Sequence, residues 1–227
     1  LGDSVVIVWR KRPGDKVERG EAVVEIETDT AHIEVTASER GMLGRISVHA
    51  GERAASGDVL AEFLPTPAQK GREVLTPPAP LPALLAAPSV FLAGSIEMGR
   101  AEPWQDELIQ RWKERDVLLL NPRRAAWDAS WVQSIENPEF RAQVEWELEA
   151  QERADLVLMY FAPQTQSPIT LLELGLFARS QKLLVACPAG FWRRGNIEVV
   201  CARYKIPLVE SLGALCEAAE ARLGWSA

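Results

Sequence analysis

Apolar positions along this chain fall into two regimes. In residues 1–64 they come as short, alternating, β-branched segments at 5–8, 22–27, 32–36, 44–48 and 59–63, separated by glycine and aspartate turns. A period of two predicts half-buried strands, and their close spacing predicts a small all-β unit. From residue 89 the pattern changes to fully apolar runs at 89–93, 117–120, 156–160, 183–186 and 207–209. Between and after them lie helical stretches at about 104–114, 142–152, 170–180, 197–204 and 212–223. Five strands alternating with five helices predict a doubly wound α/β domain with a five-stranded parallel sheet, whose ligand crevice lies beyond the carboxyl ends of the strands.

Two further patterns set the domain limits. Residues 14–26 align without gaps on residues 51–63, Gly14 on Gly51 and Gly20 on Gly57, so the β unit is expected to be a sandwich of two similar halves. Residues 65–88 carry Pro65, Pro67, Pro77, Pro78, Pro80, Pro82 and Pro88 among alanines. Proline donates no ladder hydrogen bond and fixes an extended φ, so this stretch is expected to be a semi-rigid spacer without strand or helix. Leu81, Leu84 and Leu85 are its candidates for packing on a neighbouring surface. The expected organisation is thus 1–64, a linker at 65–88, and 89–227.

Composition narrows the function. The chain has 227 residues, 47% of them hydrophobic, enough for one sizeable core and a second small one. A net charge of -7 argues against binding a nucleic-acid polymer by bulk charge, but leaves free nucleotides as ligands. Three cysteines and two histidines support neither a disulfide framework nor a metal finger. No apolar run is long enough to span a bilayer and no leader is recognisable, so a cytoplasmic setting is expected.

One residue breaks the pattern. The run Ser167-Pro168-Ile169-Thr170-Leu171-Leu172-Glu173-Leu174-Gly175-Leu176-Phe177-Ala178 has helical length, with Ser167 expected as N-cap and Pro168 as first helical residue. Glu173 shares its face with Ile169, Thr170, Leu176 and Phe177. An ionised carboxylate there requires a partner or a chemical task.

The loops after the strands supply further candidates. Gly94, Ser95 and Ile96 follow the first strand, where backbone N–H groups and the serine suit an anion or a sugar hydroxyl, or where the glycine serves only the turn. Asp128 lies in a polar and aromatic loop with Asn121, Arg123, Arg124, Trp127 and Trp131, suited to a planar base and its sugar. Gln143 and Glu147 are four apart on a helix beside Trp146, which reads as a ligand-facing set or as an ordinary solvated face. Tyr160 ends the third strand of the domain, and Ser95, Tyr160 or backbone N–H groups are the hydrogen-bond donors expected to keep Glu173 ionised. Asn196 lies in an aromatic and cationic stretch that either covers a ligand or meets a neighbouring subunit.

Residues 1–64 resemble the lipoyl/biotinyl carrier domains, through the glycine turns of the repeat and Glu27-Thr28-Asp29-Thr30-Ala31. Those domains present a modified lysine on that hairpin, and Thr30 stands at the lysine's position. A hydroxyl cannot make the amide link, so the expectation is a degenerate domain kept for docking or assembly. The stretch 90–223 resembles the nucleoside 2-deoxyribosyltransferases and their relatives, the deoxynucleoside monophosphate N-glycosidases. The matching pieces are Gly94-Ser95-Ile96, Gln143 with Trp146-Glu147, Ala154-Asp155 and Leu172-Glu173-Leu174-Gly175. The resemblance implies a flavodoxin-like sheet, Glu173 as the nucleophile at deoxyribose C1′, Glu147 assisting the base, and a homo-oligomer in which Asn196 reaches a neighbour's site. It implies no metal and no organic cofactor. The family often has an aspartate where this chain has Ser167, so the leaving base's proton is expected from Glu147 or Asp128. Transfer to a second base, hydrolysis of a deoxynucleoside 5′-monophosphate suggested by Arg100, Arg123 and Arg124, and nucleotide binding without turnover are the three expectations.

Overall fold

In a computed structural model the described residues are 4–28, 31–96, 101–124 and 131–225. The chain divides into two compact units, Leu1–Pro67 and Ala68–Ala227. Asp128, Thr30, Arg100 and Trp127 lie outside the described residues.

The first unit holds β1 (Ser4–Trp9), β2 (Lys16–Val17), β3 (Ala22–Thr28), β4 (His32–Thr36), β5 (Gly41–Ile46), β6 (Arg53–Ala54) and β7 (Ala61–Pro65). They form two sheets, β4-β3-β1-β6 and β2-β5-β7, around Val17, Val23 and Leu43. The internal repeat is written into the hydrogen bonds. Arg12 N–H donates to Asp15 Oδ2 (2.7 Å), as His49 N–H does to Glu52 Oε2 (2.6 Å). Glu18 N–H donates to Glu21 Oε2 (2.9 Å), as Ala55 N–H does to Asp58 Oδ2 (2.8 Å). Gly14 N–H reaches Leu43 O and Gly51 N–H reaches Val6 O, so each half's turn is tied to the other half's strand. The glycines that begin these turns have φ of +91° and +87°, a region L side chains avoid.

The second unit contains β8 (Arg72–Leu75), β9 (Ser89–Gly94), α1 (Trp104–Arg111), β10 (Val117–Leu120), α2 (Pro138–Arg153), β11 (Leu156–Tyr160), α3 (Pro168–Phe177), β12 (Leu183–Ala186), α4 (Arg194–Tyr204), β13 (Leu208–Val209) and α5 (Leu212–Arg222). The sheet order is β13-β12-β11-β9-β10-β8, with every pairing parallel. Without β8 this is the flavodoxin-like order, in which the connection reverses between β9 and β11 and leaves a crevice at their carboxyl ends.

The sixth strand corrects the expected five. Residues 72–75 lie in the stretch read as a spacer, yet they pair with Val117, Leu118, Leu119 and Leu120 of β10. The prolines stop at Pro67 and resume at Pro77. The proline-free interval between them keeps all its donors and is long enough for a short edge strand. Further along, Leu85 is buried and Leu81 partly buried against the core, and Trp146 Nε1–H donates to Ala79 O at 2.8 Å.

Alternation within the central strands sorts the two faces. Phe91, Ala93, Leu118, Leu120, Val157, Met159, Leu183 and Val185 join a core with residues of α2, α3 and α4. Val90, Leu92, Val117, Leu119, Leu156, Leu158, Leu184 and Ala186 face α1 and α5. Strands buried on both sides read as continuous apolar runs, which is how they appear in the sequence.

Candidate active site in the seam between two helices

At the carboxyl end of β9, Gly94 has a φ of +150° and pairs with Tyr160 of β11. A β-carbon there would sit 2.5 Å from Tyr160 O and 2.9 Å from the Trp104 ring. Only glycine allows so close an approach of the two strand ends. Ser95 then turns inward, its N–H on Tyr160 O (2.9 Å) and its Oγ accepting from Ala162 N–H (2.9 Å).

Three buried hydroxyls meet at this point. Ser95 Oγ lies 2.9 Å from Thr165 Oγ1 and 2.5 Å from Ser167 Oγ, and Thr165 Oγ1 lies 2.8 Å from Ser167 Oγ. Thr165 Oγ1–H also donates to Ala162 O (2.8 Å). The triangle joins the end of β9 to the start of α3. Ser167 is the N-cap residue of α3, as expected, but it sits in the left-handed region (φ 44°, ψ 51°) and its side chain makes no capping hydrogen bond. Pro168 is the first residue of α3, as expected, and Leu171 N–H bonds Ser167 O (3.1 Å).

Glu173 lies along α3 with 8% of its surface exposed. Its Oε1 accepts from Gln151 Nε2–H of α2 at 2.6 Å. Gln151 is a residue the sequence reading missed, since the donors expected for Glu173 were Ser95, Tyr160 or backbone N–H groups. The signal was present: Gln143, Glu147 and Gln151 recur every four residues and so line one face of α2. On that face Gln143 Nε2–H donates to Glu147 Oε1 (2.6 Å) and to Pro122 O (3.1 Å), and Gln151 Nε2–H also meets Glu147 O (3.3 Å). Gln143 and Gln151 are buried, and the Oε1 atoms of both are enclosed with no hydrogen-bond partner among the described residues.

Burial acts on both carboxyls. It pushes Glu173 up to about 8, helped by the nearby Glu147 charge and opposed by the Gln151 hydrogen bond. Burial also raises Glu147, opposed by Gln143. Two acids that feel each other give up their protons as a pair. Two carboxyls raised by burial, one of them feeling the other's charge, are the groups that acid and nucleophilic catalysis at a glycosidic carbon uses.

The other expected residues fall in different places. Trp146 is buried in the core, tilted against Phe91 with ring centroids 6.4 Å apart. Tyr160 is half-buried on the opposite core, its ring 5.5 Å from Trp104, and Ile96 is half-buried just after β9. Asn196 is exposed in the first turn of α4. Arg123 reaches Gln105 Oε1 (3.5 Å) and Arg124 stacks 4.9 Å from the Trp131 ring centroid.

A flavodoxin-like sheet with two raised carboxyls, Glu147 and Glu173, on the helices flanking β11 characterises this α/β domain. The family model "Nucleoside 2-deoxyribosyltransferase like" matches residues 87–191, and residues 1–63 match the model of the biotin-requiring enzymes. The chain therefore carries a biotin/lipoyl domain followed by a nucleoside 2-deoxyribosyltransferase-like domain. Its first domain is 35% identical over 60 residues to the dihydrolipoyllysine-residue succinyltransferase component of the 2-oxoglutarate dehydrogenase complex of Bacillus subtilis, covering 26% of this chain and 14% of that protein. It is 46% identical over 54 residues to the acetyltransferase component of the mitochondrial pyruvate dehydrogenase complex of Neurospora crassa, 23% of this chain and 12% of that one. The solution structure of the lipoyl domain of the Azotobacter vinelandii 2-oxoglutarate dehydrogenase complex is 36% identical, covering 28% of this chain and 80% of its own, with a TM-score of 0.26.

The first domain does not fit a lipoyl or biotinyl group. Thr28 N–H and Oγ1–H both reach Ala31 O (2.9 and 3.0 Å), tying the end of β3 to the residue before β4, with positions 29 and 30 between them in the sequence. Those positions are Asp29 and Thr30, so the hairpin offers no amine for an amide link. Lys11 is paired with Glu21, and Lys16 lies in β2. Among the described residues no helix is long and apolar enough to cross a membrane.

Proposed function

We propose that this protein is a nucleoside 2-deoxyribosyltransferase that cleaves the N-glycosidic bond of a 2′-deoxynucleoside through Glu173. The observation that carries the reading is the buried Glu173 facing Gln151 and Glu147 across the α2–α3 seam. The Glu173 carboxylate attacks C1′ as the C1′–N bond breaks, and the carboxyl proton of Glu147 goes to the departing base nitrogen. An incoming base nitrogen then displaces Glu173 from C1′ and returns a proton to Glu147, restoring both acids and the original configuration. In the empty site burial holds the pair's proton on Glu173; in the reacting complex that proton lies on Glu147, because the positive charge that develops at C1′ stabilises the Glu173 anion.

Gly94, Ser95 and Ile96 border the crevice in which the sugar is held, and Gln143 holds Glu147. In this reading Asp128 contributes a polar contact to the substrate, and Asn196 contributes from a second copy of the chain. The N-terminal domain acts as a docking module and carries no cofactor. Incubating a deoxynucleoside with and without a second base, and a deoxynucleoside 5′-monophosphate in parallel, tests the assignment. Base exchange from the nucleoside supports transfer, release of base only from the monophosphate identifies a hydrolase, and binding without product in any arm contradicts an enzymatic role.

A further inference from the structure

Both glutamine side chains on α2 share an unusual arrangement. Each places its NH2 group between a carboxylate and a backbone carbonyl, Gln151 between Glu173 Oε1 (2.6 Å) and Glu147 O (3.3 Å), and Gln143 between Glu147 Oε1 (2.6 Å) and Pro122 O (3.1 Å). Each leaves its own Oε1 enclosed and unpaired among the described residues. A buried acceptor without a partner is unfavourable, so this orientation persists only because the reverse is worse. Rotating the amide would set Oε1 against two acceptors at once, one of them a main-chain carbonyl that cannot move or take up a proton. The carbonyl of Glu147 thus pins Gln151 as a donor toward Glu173, and that of Pro122 pins Gln143 as a donor toward Glu147.

We infer that Gln151 is the positioning residue of the Glu173 nucleophile: its pinned amide holds Oε1, selects the carboxylate over the carboxylic acid, and leaves Oε2 as the oxygen directed at C1′. The inference rests on the transferase reading for its consequence at C1′, but not for the hydrogen bond itself. A freely rotating amide serves either protonation state, donating to a carboxylate or accepting from an acid. A pinned one serves only the carboxylate, and Gln151 has no surface exposed to water that could take its place. Gln151 touches no reacting atom. Its contribution is to the charge state and orientation of the residue that does.

The test compares wild type with Gln151→Met, which keeps length and volume but removes the donor, and with Gln151→Asn, which keeps the amide on a shorter side chain. Carboxyl-carbon NMR of selectively labelled protein follows Glu173, assigned through Glu173→Gln, and needs no substrate. A charge-assisted hydrogen bond lost from a buried site predicts that the Glu173 midpoint rises by roughly 1–2 pH units in Gln151→Met, with Gln151→Asn between that variant and wild type. The alkaline limb of kcat/KM moves by the same amount, while KM changes less than kcat. If one variant does not fold, the other still reports the midpoint. A midpoint unchanged in a folded variant overturns the inference, whatever the activity. A shifted midpoint in a protein without base exchange upholds the positioning of Glu173 and contradicts the transferase reading alone.

Discussion

Ser95 Oγ lies 2.5 Å from Ser167 Oγ, and with Thr165 these hydroxyls tie the carboxyl end of β9 to the first turn of α3. The connection holds the helix of Glu173 against the sheet at the point where strand order reverses. Ser167 adopts φ +44° to make it, a conformation costing about 1 kcal/mol or more for a residue with a β-carbon.

Two substitutions separate the hydrogen bonds from the backbone strain. Ser167→Ala removes the hydroxyl and keeps the strain, and is expected to lower unfolding free energy by roughly 1–3 kcal/mol. Ser167→Gly loses the same bonds but relaxes the backbone, and should be more stable than Ser167→Ala by about 1 kcal/mol. Denaturant midpoints measure both. A glycine variant no more stable than the alanine variant would show that the left-handed conformation stores nothing.

The raised carboxyls make stability fall with rising pH. The folded protein holds a proton on Glu173 up to about 8, whereas an unfolded chain releases it near 4.5. Between those values the native state binds more protons than the unfolded one, so the Glu173 contribution is fully present below 4.5 and is lost as pH rises toward 8. The slope approaches about 1.4 kcal/mol per pH unit for one group, and Glu147 acts in the same direction. Glu173→Gln should flatten the curve and be more stable than wild type at pH 8 by chemical denaturation. Equal pH dependence in the two proteins would place the shift elsewhere.

Activity should follow the same sense. The reaction needs one proton shared by the pair, on Glu147 when Glu173 attacks, so kcat/KM is expected to fall as pH rises past about 8 and that proton is lost. Glu147→Gln should lower kcat about 10²–10⁴-fold with a base that leaves only when protonated. A substrate whose leaving group needs no proton should lose far less, and an equal loss for both would contradict an acid role for Glu147.

For the first domain, Thr30 stands where the resemblance to the carrier domains implies a lysine. Expressed in a lipoylating host, the protein is expected to show its unmodified mass. Thr30→Lys is expected to gain a lipoyl increment in part of the population, read by intact-mass spectrometry. A lipoyl or biotinyl increment on the wild-type chain would overturn the non-carrier reading.

Legibility in the sequence followed the physics of each element. The central strands were visible because residues such as Val90 to Ala93 are apolar on both faces, and the repeat was visible because turn chemistry is local. The strand at 72–75 was hidden, since Val74 and Leu75 are too short a run to stand out between prolines and owe their state to pairing with β10. The start of α2 was placed late, although Asn137 caps it through Phe140 N–H (2.9 Å) and Pro138 occupies its first turn. Glu173 could be singled out by its apolar neighbours alone. Its partner Gln151 could not, because a contact across 22 residues of sequence depends on how α2 and α3 pack. The hydroxyl of Ser167 was misread for a related reason: a cap is a local preference, and here two partners from β9 and the β11–α3 loop outweighed it.

Base exchange between two deoxynucleosides, followed by chromatography in wild type and Glu173→Gln, tests the central claim most directly. Replacing the carboxylate by its neutral isostere leaves no oxygen able to bond C1′, so exchange is expected to fall by roughly a thousandfold or more. In parallel, the wild type quenched during turnover should carry a deoxyribosyl mass increment on the peptide containing Glu173. Exchange at the wild-type rate in Glu173→Gln, or an adduct on any other residue, would contradict it.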